Sequence, residues 1–196
     1  MRAFTDYHST PEFTDFTRLP AGAYEITIKR AEEKHTNAGD VLCILFDISS
    51  GDYANFYMDK FTSDKKYSAD AKFKGVYQLW YPNGGQYDET NKKRMKTVLE
   101  RIQKSNHLNI DFTKEWDGVA LKGCKAGMIF QDREWEYNGR TGITAQPYAI
   151  ITLDDLNAGK FTVPEPKYLS GSVRQTAPTP TVQNGSYEDL PEDLPF

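Results

Sequence analysis

Residue types that do covalent or metal chemistry are sparse in this sequence and poorly spaced for it. The three histidines, His8, His35 and His107, stand far apart. Neither they nor Cys43 and Cys124 have the spacing of a tetrahedral zinc site. No Gly-x-Ser-x-Gly turn, His-Glu-x-x-His pair or Gly-x-x-x-x-Gly-Lys loop is present. Glu32-Glu33-Lys34 has the Glu-x-Lys spacing of a metal-dependent nuclease. That chemistry also needs a metal-binding aspartate on a preceding strand, and only an N-terminal arm precedes it. The expectation is a binding protein, not an enzyme, with no cofactor and no metal.

Binding chemistry is better represented. Rings make up 13% of a chain whose mean hydropathy is −0.68, more than so polar a chain needs for its core. They interleave with cations in two stretches. Tyr53, Phe56, Tyr57 and Phe61 are accompanied by Lys60, Lys65 and Lys66; farther on, Arg133, Trp135, Tyr137 and Arg140 fall close together. Lysine and arginine neutralise phosphates, while each ring that stacks on a base contributes about 1–3 kcal/mol without regard to sequence. Read as a strand, residues 53–61 place Tyr53, Tyr57 and Phe61 on one face by even spacing, and that face is expected to be exposed. The competing account is that strands are simply rich in aromatics.

The C-terminus is chemically distinct. Tyr187-Glu188-Asp189-Leu190-Pro191-Glu192-Asp193-Leu194-Pro195-Phe196 contains Glu-Asp-Leu-Pro twice and ends on a ring. The four acidic residues after Arg174 equal the whole net charge of −4, so residues 1–174 sum to zero. With so few apolar groups the segment buries nothing alone. It offers a partner one ring beside a carboxylate, a pair suited to a pocket with an apolar floor and a basic rim.

The elements that must position these groups follow from periodicity. Residues 1–18 form an aromatic, polar arm without a clear period. Tyr24, Ile26 and Ile28 alternate with polar residues and begin a first strand; residues 35–40 make a hairpin loop; residues 41–48 form a strand apolar on both faces, hence interior. Residues 53–61 are expected to be a third strand and residues 68–81 helical. Met95, Val98, Leu99 and Ile102 lay an apolar stripe on a helix over 89–104. Its Lys92, Lys93 and Arg94 read as a solvated face. Residues 119–123 and 126–137 are strands, and Asn138-Gly139 supplies a type I′ turn into a strand over 140–153. Residues 154–159 turn, and from Pro164 the composition is that of a disordered linker. Three strands, a helical insertion over about 63–118 and two further strands are the element order of an OB-fold, a five-stranded barrel. The domain expectation is an arm (1–18), a single-strand-binding core (19–163) and a linker with a docking tail (164–196).

The end of the chain resembles the acidic tip of bacterial and phage single-stranded DNA-binding proteins, in which acidic residues run into a terminal Pro-Phe or Phe. The matching residues are Glu192, Asp193, Leu194, Pro195 and Phe196, with Glu188 and Asp189 as added charge. Separately, Leu19-Pro20-Ala21-Gly22-Ala23-Tyr24-Glu25 is similar to the opening of a family of uncharacterised phage proteins encoded among replication and recombination genes. The resemblance implies an OB-type core, a disordered linker, and a tip that recruits replication, recombination and repair proteins. The long helical insertion departs from the bacterial pattern, so no core binding residue carries over. The expected function is sequence-independent binding and protection of single-stranded DNA in a phage-type system. The alternatives are a protein-interaction adaptor that does not bind DNA, or a metal-dependent nuclease on the same barrel. RNA and homo-oligomerisation stay open. Two unpaired thiols, the lack of an apolar leader at residues 1–6 and the lack of a 20-residue apolar run lead to a cytoplasmic expectation, with no membrane partner.

Overall fold

A computed structural model describes residues 18–169. The first strand, β1 (Gly22–Thr36), follows the period of two: Ile26 and Ile28 are fully buried, while Lys29 and Arg30 beyond them are exposed. A tight turn leads into β2 (Gly39–Ile48), whose residues are buried on both faces as its composition requires.

The next stretch departs from expectation. Residues 53–61 do not form a strand; Phe56–Tyr67 form helix α1. The cause lies outside the segment. Asp47 is fully buried at the end of β2, and its carboxylate accepts the amide N–H groups of Tyr57 at 3.0 Å and Met58 at 3.0 Å. These are first-turn donors that a helix cannot satisfy internally. The residue ahead of the helix, Asn55, makes no side-chain cap, so Asp47 fills that role from another element. Tyr53, Tyr57 and Phe61 still share a face, because a spacing of four is both even and about one helical turn. That face points inward: Tyr57 is 6% exposed, and Tyr53 and Phe61 are half-buried.

The third strand, β3 (Val76–Trp80), comes later, inside the stretch expected to be helical. It pairs with β2 from Leu45↔Val76 to Val41↔Trp80, satisfying the outer backbone groups of a strand that is itself buried. Gly75 permits this approach, since a Cβ there would lie 2.3 Å from the Phe46 carbonyl oxygen. The amphipathic helix is found as α2 (Asp88–Asn106), with Val98, Leu99 and Ile102 buried. Arg101 donates from it to the Ile150 carbonyl at 2.6 Å. Residues Gly118–Leu121 form a 3-10 turn, not the short strand expected at 119–123, with the Asp117 carboxylate accepting the Val119 N–H at 2.9 Å.

Two long strands follow, β4 (Lys125–Tyr137) and β5 (Arg140–Ile151). Their turn has positive φ at both Asn138 (50°) and Gly139 (72°), as the Asn-Gly pair predicts. A single helical turn, α3 (Leu153–Asn157), stands where a simple turn was expected. The strands form one antiparallel sheet in the order β3-β2-β1-β4-β5. The sheet is open, not closed into the expected barrel, and β3 and β5 are its edges. The rings of Phe46, Tyr57 and Phe130 meet at centroid distances of 5.4–6.4 Å within the core. Both cysteines are buried and unpaired. Among the described residues, no helix is long and apolar enough to cross a membrane.

Candidate nucleic-acid interface

β1 and β4 stop pairing at Gly22↔Phe130. Beyond that point β4 and β5 continue together as a ribbon, from Gln131↔Gln146 to Tyr137↔Arg140. Strand alternation divides this ribbon sharply. Arg133, Trp135 and Tyr137 share one face with their cross-strand partners Thr144, Gly142 and Arg140. Asp132, Glu134 and Glu136 take the opposite face. One side is therefore cationic and aromatic, the other acidic.

The acidic side is already engaged. Asp132 forms an ion pair with Arg18. Residues 165–169, expected to begin the linker, run beside β4 where β1 has left it. Lys167 N–H donates to the Asp132 carbonyl at 2.8 Å and Glu134 N–H to the Lys167 carbonyl at 2.9 Å. The Leu169 N–H donates to Glu134 Oε2 at 2.9 Å, and Gln131 Nε2 to the Glu165 carbonyl at 2.6 Å. On the other side, the Trp135 indole lies directly over Gly142, where a Cβ would come within 2.6 Å of the ring. The missing side chain lets the indole lie across β5 while 41% exposed.

A cleft of about 1140 Å³ opens between the two sheet edges. β3 contributes Val76, Tyr77 and Gln78 to one wall, and β5 contributes residues 143–148 to the other. Phe56, Tyr57 and Lys60 come from α1 and Arg94 from α2, and Arg18, Leu19, Lys74, Gln131, Arg133, Trp135 and Lys167 complete the lining. Six lining residues are cations and none is a carboxylate. Of the six, Arg18 pairs with Asp132, and Lys60 lies 3.7 Å from Asp64. Lys74, Arg94, Arg133 and Lys167 form no ion pair with a carboxylate among the described residues. Burial raises the Tyr77 hydroxyl above its ordinary pKa, against the opposing pull of Arg94 and Arg101. Burial also raises Tyr57, with a smaller push from Asp47. Both phenols thus keep their protons at neutral pH and stay able to donate hydrogen bonds.

The residues expected to bind DNA separate into groups. Lys60, Arg133 and Trp135 line the cleft. Tyr57 also lines it, but as buried floor and not as an exposed stacking ring, which corrects the expectation of an exposed tyrosine face. Tyr53 and Phe61 pack half-buried around α1 and lie outside the lining; Lys65 stands over the Phe61 ring at 5.5 Å, and Lys66 is exposed beside it. Tyr137 and Arg140 occupy the ribbon tip, on the Trp135 face. The docking residues Glu188, Asp189, Glu192, Asp193, Leu194, Pro195 and Phe196 lie outside the described residues.

Several lining residues escaped the sequence reading. Arg94 belongs to the cationic helix start, whose sequence predicts a solvated face. Tyr148 lies in the strand expected over 140–153, where nothing local marks it as exposed, yet it is 50% exposed. Lys74, Lys167 and Tyr77 carry no local signal; only the topology brings them to the seam. In the Glu-x-Lys triplet, Glu32 is held by Arg30 at 2.6 Å and Lys34 at 2.8 Å. Glu33, His35 and Asp40 gather at the exposed β1–β2 hairpin end, and none of them lines the cleft. Compared with known protein families and with curated proteins, the chain finds no match.

Proposed function

We propose that this protein binds single-stranded DNA without sequence preference, along the cleft and the cationic face of the β4–β5 ribbon. The observation that carries the reading is the cleft lining, which has six cations, no carboxylate and several rings. A polyanion gains phosphate neutralisation there, and its bases meet aromatic surface. The sheet order supports an OB-type core, since pairing the two edges would close a five-stranded barrel and a helix, α2, lies between β3 and β4. In this reading the core protects single strands during phage-type replication or recombination. The acidic tip ending in Phe196 recruits partner proteins by its terminal ring and carboxylate.

The test is a fluorescence titration with oligo-dT at two salt concentrations. Stacking quenches tryptophan, and affinity falls steeply with salt because bound phosphates release counterions. Parallel titration with oligo-U decides between DNA and RNA. If oligo-dT at low salt gives neither quenching nor a mobility shift, the reading is overturned in favour of a protein-binding adaptor. Magnesium-dependent cleavage of the oligonucleotide would overturn it in favour of a nuclease.

A further inference from the structure

The ribbon and the seam between the edges offer a single strand two different paths, and one irregularity in the sheet distinguishes them. In the β4–β5 ladder Ile129 pairs with Ala149 and Phe130 with Pro147, leaving Tyr148 as an extra residue on β5. Such a bulge bends its strand and re-aims a side chain. Here the re-aimed side chain is half-exposed and lines the cleft. Its neighbour Pro147 has no N–H to give to another strand, which suits an edge that stays unpaired. Bulge and proline together blunt β5 at the point where a closed barrel would join it to β3. Tyr77 of β3 and Arg94 of α2 line the same cleft as Tyr148.

We infer that the single strand lies in the seam between β3 and β5, with a base stacked on Tyr148 and its phosphates held by Arg94, Lys74, Arg133 and Lys167. This rests on the single-strand reading above and adds where the strand runs, which residue stacks, and how much of it is held. The four named cations have no carboxylate partner among the described residues, so each has its charge available to a phosphate. Four phosphates correspond to a slope of log affinity against log salt of about −3 for a single strand.

The experiment compares oligo-dT binding by the full chain and by variants over a salt series. Tyr148→Ala weakens binding roughly 5- to 100-fold, the range for losing one stacked base. Tyr148→Phe keeps the ring and stays within about 3-fold of the parent. Arg94→Ala, an exposed site whose loss does not disturb packing, makes the slope shallower by about 0.7. Lys96→Ala, on α2 but outside the cleft lining, leaves both quantities unchanged and serves as the control. If Tyr148→Ala and Arg94→Ala bind like the parent while Tyr137→Ala or Arg140→Ala lose affinity, the strand follows the ribbon tip. The seam assignment then fails and the single-strand reading survives. If the parent chain does not bind oligo-dT at low salt, the reading fails and takes the seam with it.

Discussion

At the scale of single residues, Trp135 and Gly142 behave as one unit. The indole is exposed enough to meet a base and is braced from below by a backbone with no side chain. Trp135→Ala is expected to weaken oligo-dT binding by roughly 5- to 100-fold with little change in melting temperature, which a titration and a thermal melt together would show. Gly142→Val is the more telling change, because its Cβ must push the ring aside; it should lower affinity and shift the Trp135 emission without removing any ligand-contacting group. A separate residue-scale prediction concerns His35. Its Nδ1 lies 2.6 Å from Asp40 Oδ1, and that hydrogen bond raises the imidazole above its ordinary pKa of 6.5. The raised value means the pair's stabilisation is complete below pH 6.5 and is lost as pH rises through the folded-state value. The group is fully exposed, so the clean readout is the NMR titration of His35, which Asp40→Asn should return toward 6.5. Arg133, Trp135, Tyr137 and Arg140 are legible in the sequence as neighbours on one hairpin. That they share one face of it is what the ladder adds.

At the scale of elements, legibility depended on whether the determining partner was near in sequence. β1, β2, α2 and the β4–β5 hairpin each carry their own signal in a period or a turn, and all were readable. α1 does not. Its aromatic run suits a strand, and what makes it a helix is a carboxylate on β2 at Asp47. β3 likewise forms because the outer edge of β2 needs pairing, a demand invisible within residues 68–81. The cap can be tested directly. Asp47→Ala strips the acceptor from two first-turn amides, one of them buried, and should destabilise the fold by about 2–4 kcal/mol in urea unfolding. Asp47→Asn keeps one acceptor oxygen and should cost less. A neutral Asp47→Ala would mean that α1 is held by its ring contacts alone.

At the scale of the whole molecule, charge is distributed by location and not by total. The chain is acidic overall, yet the charged side chains that line the cleft are all cations. That contrast was only half legible. Sequence showed that the acidic excess sits after Arg174, but five of the six cleft cations are scattered over α1, α2, the loops and residue 167, and only the sheet order gathers them. Deleting residues 188–196 is therefore expected to leave oligo-dT affinity intact or raise it, because its four carboxylates no longer compete with phosphates for the groove. A large loss of affinity on deletion would contradict this. Under the proposed function, the same deletion should abolish capture of partners by the acidic tip.

The bulge on β5 has a consequence for chain length. β5 is one residue longer than its pairing with β4 requires, and the surplus is Tyr148. Deleting Tyr148 leaves every remaining β4–β5 pair on its present face, because Pro147 and Ala149 already sit on opposite sides. Deleting Thr144 instead would swap Arg140 and Gly142 to the acidic side or break the Asn-Gly turn. The two one-residue deletions should thus differ in kind: the first should fold and lose the strand, the second should scramble the ribbon.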